Sequence, residues 1–113
     1  MPKEYTPEEV MEKVLTQIWN TIEYWDKLEG KSQRERMEGL AFSMLVILDG
    51  GCAVLPGFIV APLPHPTDKD YHIDNGEDYF PENHEAAENI KSDIAGALHE
   101  YFDHYNPFQK NKQ

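Results

Sequence analysis

The stretch Leu40-Ala41-Phe42-Ser43-Met44-Leu45-Val46-Ile47-Leu48 is nearly continuous in apolar residues and decides the fold of this chain. Upstream, Ser32 and Glu35 have the spacing of a capping box, and downstream Gly50-Gly51 is typical of a helix end. We therefore predict a helix over residues 32–49. Because a helix that is apolar on every side must be buried on every side, either the neighbouring helices and loop enclose it or the chain is a homo-oligomer.

Apolar residues at helical spacing also mark the two flanks of this stretch. On the amino-terminal side, Thr6 and Glu9 form a second capping-box pattern, and the apolar period continues to Trp25, which predicts a helix over 7–29. On the carboxyl-terminal side, a stripe of apolar residues predicts a third helix over 83–105. The stripe consists of Ala87, Ile90, Ile94, Ala97, Leu98, Tyr101, Phe102 and Tyr105. The predicted fold class is mainly α, with three helices in a single domain over 1–113 and a frayed tail over 107–113.

Residues 50–83 break the helical pattern and form a long loop between the second and third predicted helices. The loop holds five of the eight prolines and four of the seven glycines. Residues 58–61 have the composition of a short strand, and residues 71–73 are its predicted partner in a small β-hairpin. Apolar and aromatic side chains in the loop favour an ordered segment, and long ordered loops commonly carry function. They include Phe58, Ile59, Val60, Leu63, Tyr71, Ile73, Tyr79 and Phe80.

Charge excludes two classes of partner. The 113 residues carry 21 acidic and 10 basic side chains, a net charge of −11 with neutral histidines. Direct binding to nucleic acid requires a basic surface, and so does adsorption to an anionic membrane, so neither is expected. Hydrophobic residues make up 40% of the chain, which is too many for a disordered acidic protein.

Cysteine content and the absence of an apolar leader indicate a cytoplasmic protein. Cys52 is the one cysteine of the sequence, so no intramolecular disulfide is possible, and its apolar neighbours predict a buried, unreactive thiol. The longest nearly apolar run, residues 39–48, is about half of what a bilayer crossing requires. Residues 1–7 have no apolar signal core.

The most concentrated set of candidate functional side chains lies within residues 64–74 of the loop. Two histidines and three aspartates fall in this stretch, and imidazole and carboxylate groups suit zinc, iron or manganese. Binding residues are therefore predicted at His65, Asp68, Asp70, Tyr71 and His72. A divalent metal is a possible cofactor, with His65, Asp70 and His72 as candidate ligands. The alternative is a solvated acidic turn whose aspartates cap loop amides.

Four further residues outside this stretch are candidates for the same or a separate site. Tyr79 lies in an aromatic pair that either anchors the loop or stacks on a ligand. Arg34 and Arg36 are the only arginines in the sequence and lie near a predicted helix start, where an anion would bind if one binds at all. For His99 two interpretations stay open. Either His99 or Glu100 faces residues 65–78 of the loop and completes a site there, or the pairs His99 with Asp103 and Glu100 with His104 are structural contacts on the surface of the third helix.

Several short strings give the chain a resemblance to a known class of protein. They are Asp49-Gly50-Gly51, Leu55-Pro56-Gly57-Phe58, Pro64-His65-Pro66, Tyr71-His72, Gly76-Glu77-Asp78-Tyr79-Phe80-Pro81-Glu82-Asn83 and Leu98-His99-Glu100. Over residues 32–105 the chain resembles small uncharacterised acidic proteins of bacteria and their phages. The resemblance implies a phage accessory protein. Because no activity is known for that class, the resemblance identifies no functional residue in this chain.

The expected function is a non-catalytic binding or inhibitory protein. It would engage a basic protein surface or a small ligand through the 50–83 loop, and its negative charge would speed the encounter with a basic partner. One alternative is a small metal-dependent hydrolase that uses His65, Asp68, Asp70 and His72. Another alternative is an oligomeric structural or assembly subunit. This alternative rests on the apolar helix predicted over residues 32–49, which a second subunit would cover.

Overall fold

The computed structural model describes residues 1–108 and is mainly helical, as predicted. Its four helices are α1 (Pro7–Lys27), α2 (Gln33–Asp49), α3 (Asp68–Asp74) and α4 (His84–Ala87). Within those 108 residues there is no β-strand. No helix in this range is both long enough and apolar enough to span a lipid bilayer.

Both predicted capping boxes form and fix the starts of the two long helices. The Thr6 hydroxyl accepts a hydrogen bond from the Glu9 N–H at 3.2 Å, and the Ser32 hydroxyl accepts one from the Glu35 N–H at 3.1 Å. Hydrogen bonds from the backbone and hydroxyl of Ser32 hold the pKa of the Glu35 carboxyl below its ordinary value of 4.5. Because the pKa of Glu35 is lower in the folded protein than in the unfolded chain, the ionised carboxylate stabilises α2 above about pH 4.5. This stabilisation is lost as the pH falls through the lowered pKa.

Helices α1 and α2 pack against each other around one close contact. The Trp25 indole N–H donates a hydrogen bond to the Ser43 hydroxyl at 2.9 Å, and the same ring lies over Gly39. Beyond it, Val14, Ile47 and Leu55 form a small buried cluster. Half-buried side chains pack around this cluster, namely Ile18, Cys52, Phe58 and Ile94.

The second prediction for α2, burial on every side, is not met within the described chain. Met37, Phe42 and Leu45 on this helix are more than half exposed. The face of α2 that carries Gly39, Ser43 and Ile47 is the one that packs inside the protein.

The predicted β-hairpin is wrong. Residues 71–73 lie inside helix α3, and residues 59–61 are irregular. The Phe58 N–H donates instead to the Leu48 carbonyl at 2.9 Å, and the prolines at 62, 64 and 66 offer no N–H to a ladder. A helix satisfies its backbone locally, and acidic side chains at Asp68 and Asp70 favour its amino-terminal turn.

The predicted third helix over 83–105 is also wrong beyond its first turn. Helix α4 ends at Ala87, and residues 88–105 form a series of turns. Ser92 and Gly96 have φ angles of 58° and 110°, which a right-handed helix cannot contain. The Trp19 indole N–H donates to the Phe102 carbonyl at 2.7 Å, so a long-range partner uses a carbonyl that a helix would have paired with the backbone.

The chain separates into two compact units, one formed by Met1–Phe58 with Ile94–Gln113 and the other by Ile59–Asp93. The first contains α1, α2 and the buried cluster, and the second contains α3 and α4. Of the tail predicted to be frayed, residues 109–113 lie outside the described residues. Within its described part, the Phe108 N–H donates to the Asn106 side-chain oxygen at 2.9 Å.

Candidate functional site

The unit Ile59–Asp93, called here the acidic segment, contains six of the nine predicted binding residues. It carries nine acidic side chains against two lysines, so this unit of 35 residues has a charge of −7 with neutral histidines. Not one of its side chains is buried. Its shape therefore depends on polar contacts between nearby residues more than on a hydrophobic core.

A tight turn at His65 leads into helix α3. The Asp68 carboxylate accepts a hydrogen bond from the His65 N–H at 3.0 Å. The His65 Nδ1 accepts the Thr67 N–H at 3.3 Å and lies 2.9 Å from the Thr67 hydroxyl. The alternative reading, in which aspartates cap loop amides, thus describes Asp68 correctly.

The carboxyl end of α3 is closed by a second set of contacts. The His72 Nδ1 lies 2.9 Å from a carboxylate oxygen of Glu77, and both side chains are exposed. The Asn75 side-chain amide donates to the Tyr71 carbonyl at 2.7 Å. The Tyr71 and His72 rings meet edge to face with centroids 5.4 Å apart. These contacts fix the turn at Gly76, whose φ of 69° suits glycine.

Lys69 and Asn83 connect α3 to the second half of the segment. The Lys69 ammonium lies 3.9 Å from a Glu82 carboxylate oxygen and 5.4 Å from the centre of the Tyr79 ring. The Asn83 amide donates to the Pro62 carbonyl at 2.9 Å, which joins two points 21 residues apart. The acidic segment is therefore braced between residues 62 and 83, although each contact is exposed and individually weak.

The candidate metal ligands His65, Asp70 and His72 do not come together as a group of three in the described chain. The Nδ1 atoms of His65 and His72 are directed to Thr67 and Glu77 respectively. Asp70 and His72 are two residues apart on a helix and so lie on different faces. Across residues 1–108, no three His, Cys, Asp or Glu side chains come close enough together to hold a metal ion.

Large apolar and aromatic side chains of the acidic segment project outward between its carboxylates. Tyr71 is 63% exposed, Phe80 69%, Ile73 49% and Tyr79 48%. Since these side chains are not in a core, the anchoring role considered for Tyr79 covers only part of its ring, beside Lys69.

The remaining predicted residues belong to the other unit. Arg34 is exposed and forms an ion pair with Glu38 at 2.9 Å, one helical turn further along α2. Arg36 is half-buried, and its Nε atom has no hydrogen-bond partner within the described chain. His99 is exposed and lies in the turns after α4. All three lie in the unit formed by Met1–Phe58 with Ile94–Gln113.

Sequence reasoning missed several residues that hold the segment together: Thr67, Asn75, Glu77, Glu82 and Asn83. The turn from His65 into α3 could have been predicted from the sequence, because Asp68 follows His65 at the three-residue spacing typical of side-chain caps. For Glu82 and Asn83 no local signal exists, since their partners are 13 and 21 residues away.

A groove of about 440 Å³ lies along α1. Tyr5, Glu9, Lys13 and Val54 are among the side chains that line it, and none of the predicted binding residues does so.

Comparisons with protein-family models, with curated proteins and with solved structures found no match to this chain. Its function must therefore be argued from its own residues.

Proposed function

We propose that this protein is a non-catalytic binding protein that engages a basic protein surface through the acidic segment. The observation that carries the proposal is the combination of exposed aromatic side chains and carboxylates on one braced stretch of chain. Tyr71, Tyr79 and Phe80 would insert between apolar groups of the partner. The surrounding carboxylates would pair with its lysines and arginines.

Charge supplies the first half of this recognition. The nine acidic side chains of the segment would steer a basic partner toward it and raise the association rate. The ion pairs formed would be exposed at the rim of the interface and so contribute little affinity each. Binding should therefore weaken as salt concentration rises.

The aromatic side chains supply the second half. Aromatic residues are enriched at the centres of protein interfaces, where each buried ring contributes much of the affinity. Burying a Phe side chain that is exposed in the free protein is worth about 1.5–3 kcal/mol. Because Phe80 is 69% exposed, most of this gain is available to a partner.

The polar braces reduce the entropic cost of binding. Contacts from His65 to Asp68, from His72 to Glu77 and from Asn83 to Pro62 hold the segment in shape before any partner arrives. A surface ordered in advance loses less conformational freedom on association. A protein partner suits these outward-facing side chains better than a small ligand, which needs a concave site.

Two synthetic peptides of equal positive charge test the proposal. The first contains lysine and serine, and the second contains lysine, leucine and phenylalanine. We expect the second peptide to bind more tightly by fluorescence anisotropy, and both to weaken with added NaCl. Phe80→Ser should lower affinity for the second peptide about tenfold, or about 1.4 kcal/mol, and leave the first unchanged.

Phe42→Ser is the matched control, since Phe42 is 67% exposed on α2 and lies outside the acidic segment. It should bind both peptides like the unmodified protein. The proposal fails if neither peptide binds at low salt, or if the two serine variants lose affinity equally.

A further inference from the structure

One face of α2 is apolar and exposed. Met37 is 59% exposed, Met44 38% and Leu45 59%, and Ala41 between them is exposed as well. The opposite face carries Gly39, Ser43 and Ile47 and packs within the protein. Exposed apolar side chains that adjoin one another on a helix commonly mark an interaction site.

The spacing of this face is that of a helix–helix seam. Met37, Ala41, Met44 and Leu48 follow one another at steps of four, three and four residues, the pattern of a and d positions in a coiled coil. Leu45 flanks the seam, and Leu48 is half-buried at its end. A partner for this stripe is therefore another helix with apolar residues at the same period.

A second copy of α2 in the antiparallel direction satisfies this requirement. When Ala41 of one copy faces Met44 of the other, Met37 faces Leu48 and every seam residue has a partner. The small Ala41 leaves room for the long side chain opposite, as well-packed helix pairs require.

Charge is complementary in the same arrangement. Arg34 lies near the start of α2 and Asp49 at its end, both exposed. The antiparallel alignment brings Arg34 of each copy within about 3 Å, along the axis, of the level of Asp49 on the other. It also sets the positive end of each helix dipole beside the negative end of its neighbour.

We propose that the protein forms a homodimer in which the Met37, Ala41, Met44 and Leu48 seams of two α2 helices pack antiparallel. The interface is independent of the acidic segment. Because it comprises one helix from each copy, it is smaller than the usual 800 Å² or so per partner, and the dimer should dissociate on dilution.

Sedimentation equilibrium over a range of concentrations tests the assembly. We expect a species of twice the 13.1 kDa chain mass that dissociates as concentration falls. Ala41→Glu would place a carboxylate in the seam and should leave the chain at 13.1 kDa throughout, with an unchanged circular dichroism spectrum.

Ala86→Glu makes the same chemical change at an exposed alanine of α4 and should dimerise like the unmodified protein. A single 13.1 kDa species at every concentration would overturn the proposal. So would an Ala41→Glu protein that still dimerises.

Cysteine cross-linking tests the direction, in a Cys52→Ser background. In the antiparallel pair, the two copies of residue 37 are about 16 Å apart along the axis, which is beyond the reach of a disulfide. Met37→Cys alone should therefore stay uncross-linked, and Met37→Cys with Leu48→Cys should form a covalent dimer under mild oxidation. Cross-linking of the single variant would show a parallel pair, and failure of the double variant would exclude this seam.

Discussion

Gly39 allows α2 to approach the indole ring of Trp25. A Cβ atom at position 39 would lie 2.5 Å from ring carbons of Trp25, well inside van der Waals contact. The ring cannot move away freely, because its N–H is bonded to the Ser43 hydroxyl. The glycine is therefore required by packing, although it lowers the helix propensity of α2 by about 1 kcal/mol relative to alanine.

We expect Gly39→Ala to destabilise the protein by about 1–3 kcal/mol despite its better helix propensity, because the added methyl group overpacks the contact with Trp25. Urea denaturation at fixed protein concentration measures the change. In a Trp25→Leu background, where the large ring is gone, the same substitution should be neutral or stabilising. A Gly39→Ala protein more stable than the unmodified one would show that the ring does not lie over this residue.

At the scale of elements, residues 94–108 pack against α1 through an aromatic contact. The Trp19 and Phe102 rings stack with centroids 4.2 Å apart and planes at 17°. The indole N–H is bonded to the backbone carbonyl of Phe102. The contact therefore joins Phe102, which lies in a series of turns, to helix α1.

Phe102→Ala should lower the free energy of unfolding by about 2 kcal/mol, through lost burial and lost stacking. Hydrogen exchange should accelerate over residues 94–108 and remain slow in the centre of α1. Phe108→Ala removes the same ring from an exposed position and should have little effect. Equal losses in the two variants would show that the stacked pair is not the contact that holds this stretch.

The elements that were predicted correctly are those whose determinants are local. Thr6 with Glu9 and Ser32 with Glu35 fixed the starts of α1 and α2 from a three-residue spacing alone. The apolar stripe over 83–105 predicted a helix that does not form. Gly96 lies within the stripe with a positive φ angle, and the Phe102 carbonyl accepts a hydrogen bond from Trp19, which is far away in the sequence. In the candidate site, the composition located the acidic segment, but helix α3 and the bond from Asn83 to Pro62 depend on contacts that periodicity does not reveal.

At the scale of the whole molecule, little of the hydrophobic content is buried. Within residues 1–108, four hydrophobic side chains are buried, whereas eighteen large ones are exposed. Composition predicts how much apolar surface a chain carries, but not whether its own residues or a second molecule covers it. The seam on α2 and the aromatic side chains of the acidic segment account for part of this exposed surface and are the two places where we propose partners.

The net charge of −11 should give folding and binding opposite responses to salt. Repulsion among the acidic side chains opposes the compact state, and NaCl screens it over about 10 Å at 0.1 M. We expect the melting temperature to rise by about 2–5 °C between low and physiological ionic strength, measured at one protein concentration because dimerisation also shifts it. Over the same range, affinity for the basic peptides should fall.

The combined variant Asp74→Asn and Asp78→Asn tests whether the acidic segment is the source of both effects. It removes two exposed charges, one at the carboxyl end of α3, where a negative charge is unfavourable to the helix dipole. Its melting temperature should be higher at low salt and rise less with NaCl, and its peptide affinity should depend less steeply on salt. A melting temperature that falls as NaCl is added would show that attractive ion pairs such as that of Lys69 with Glu82 outweigh the repulsion.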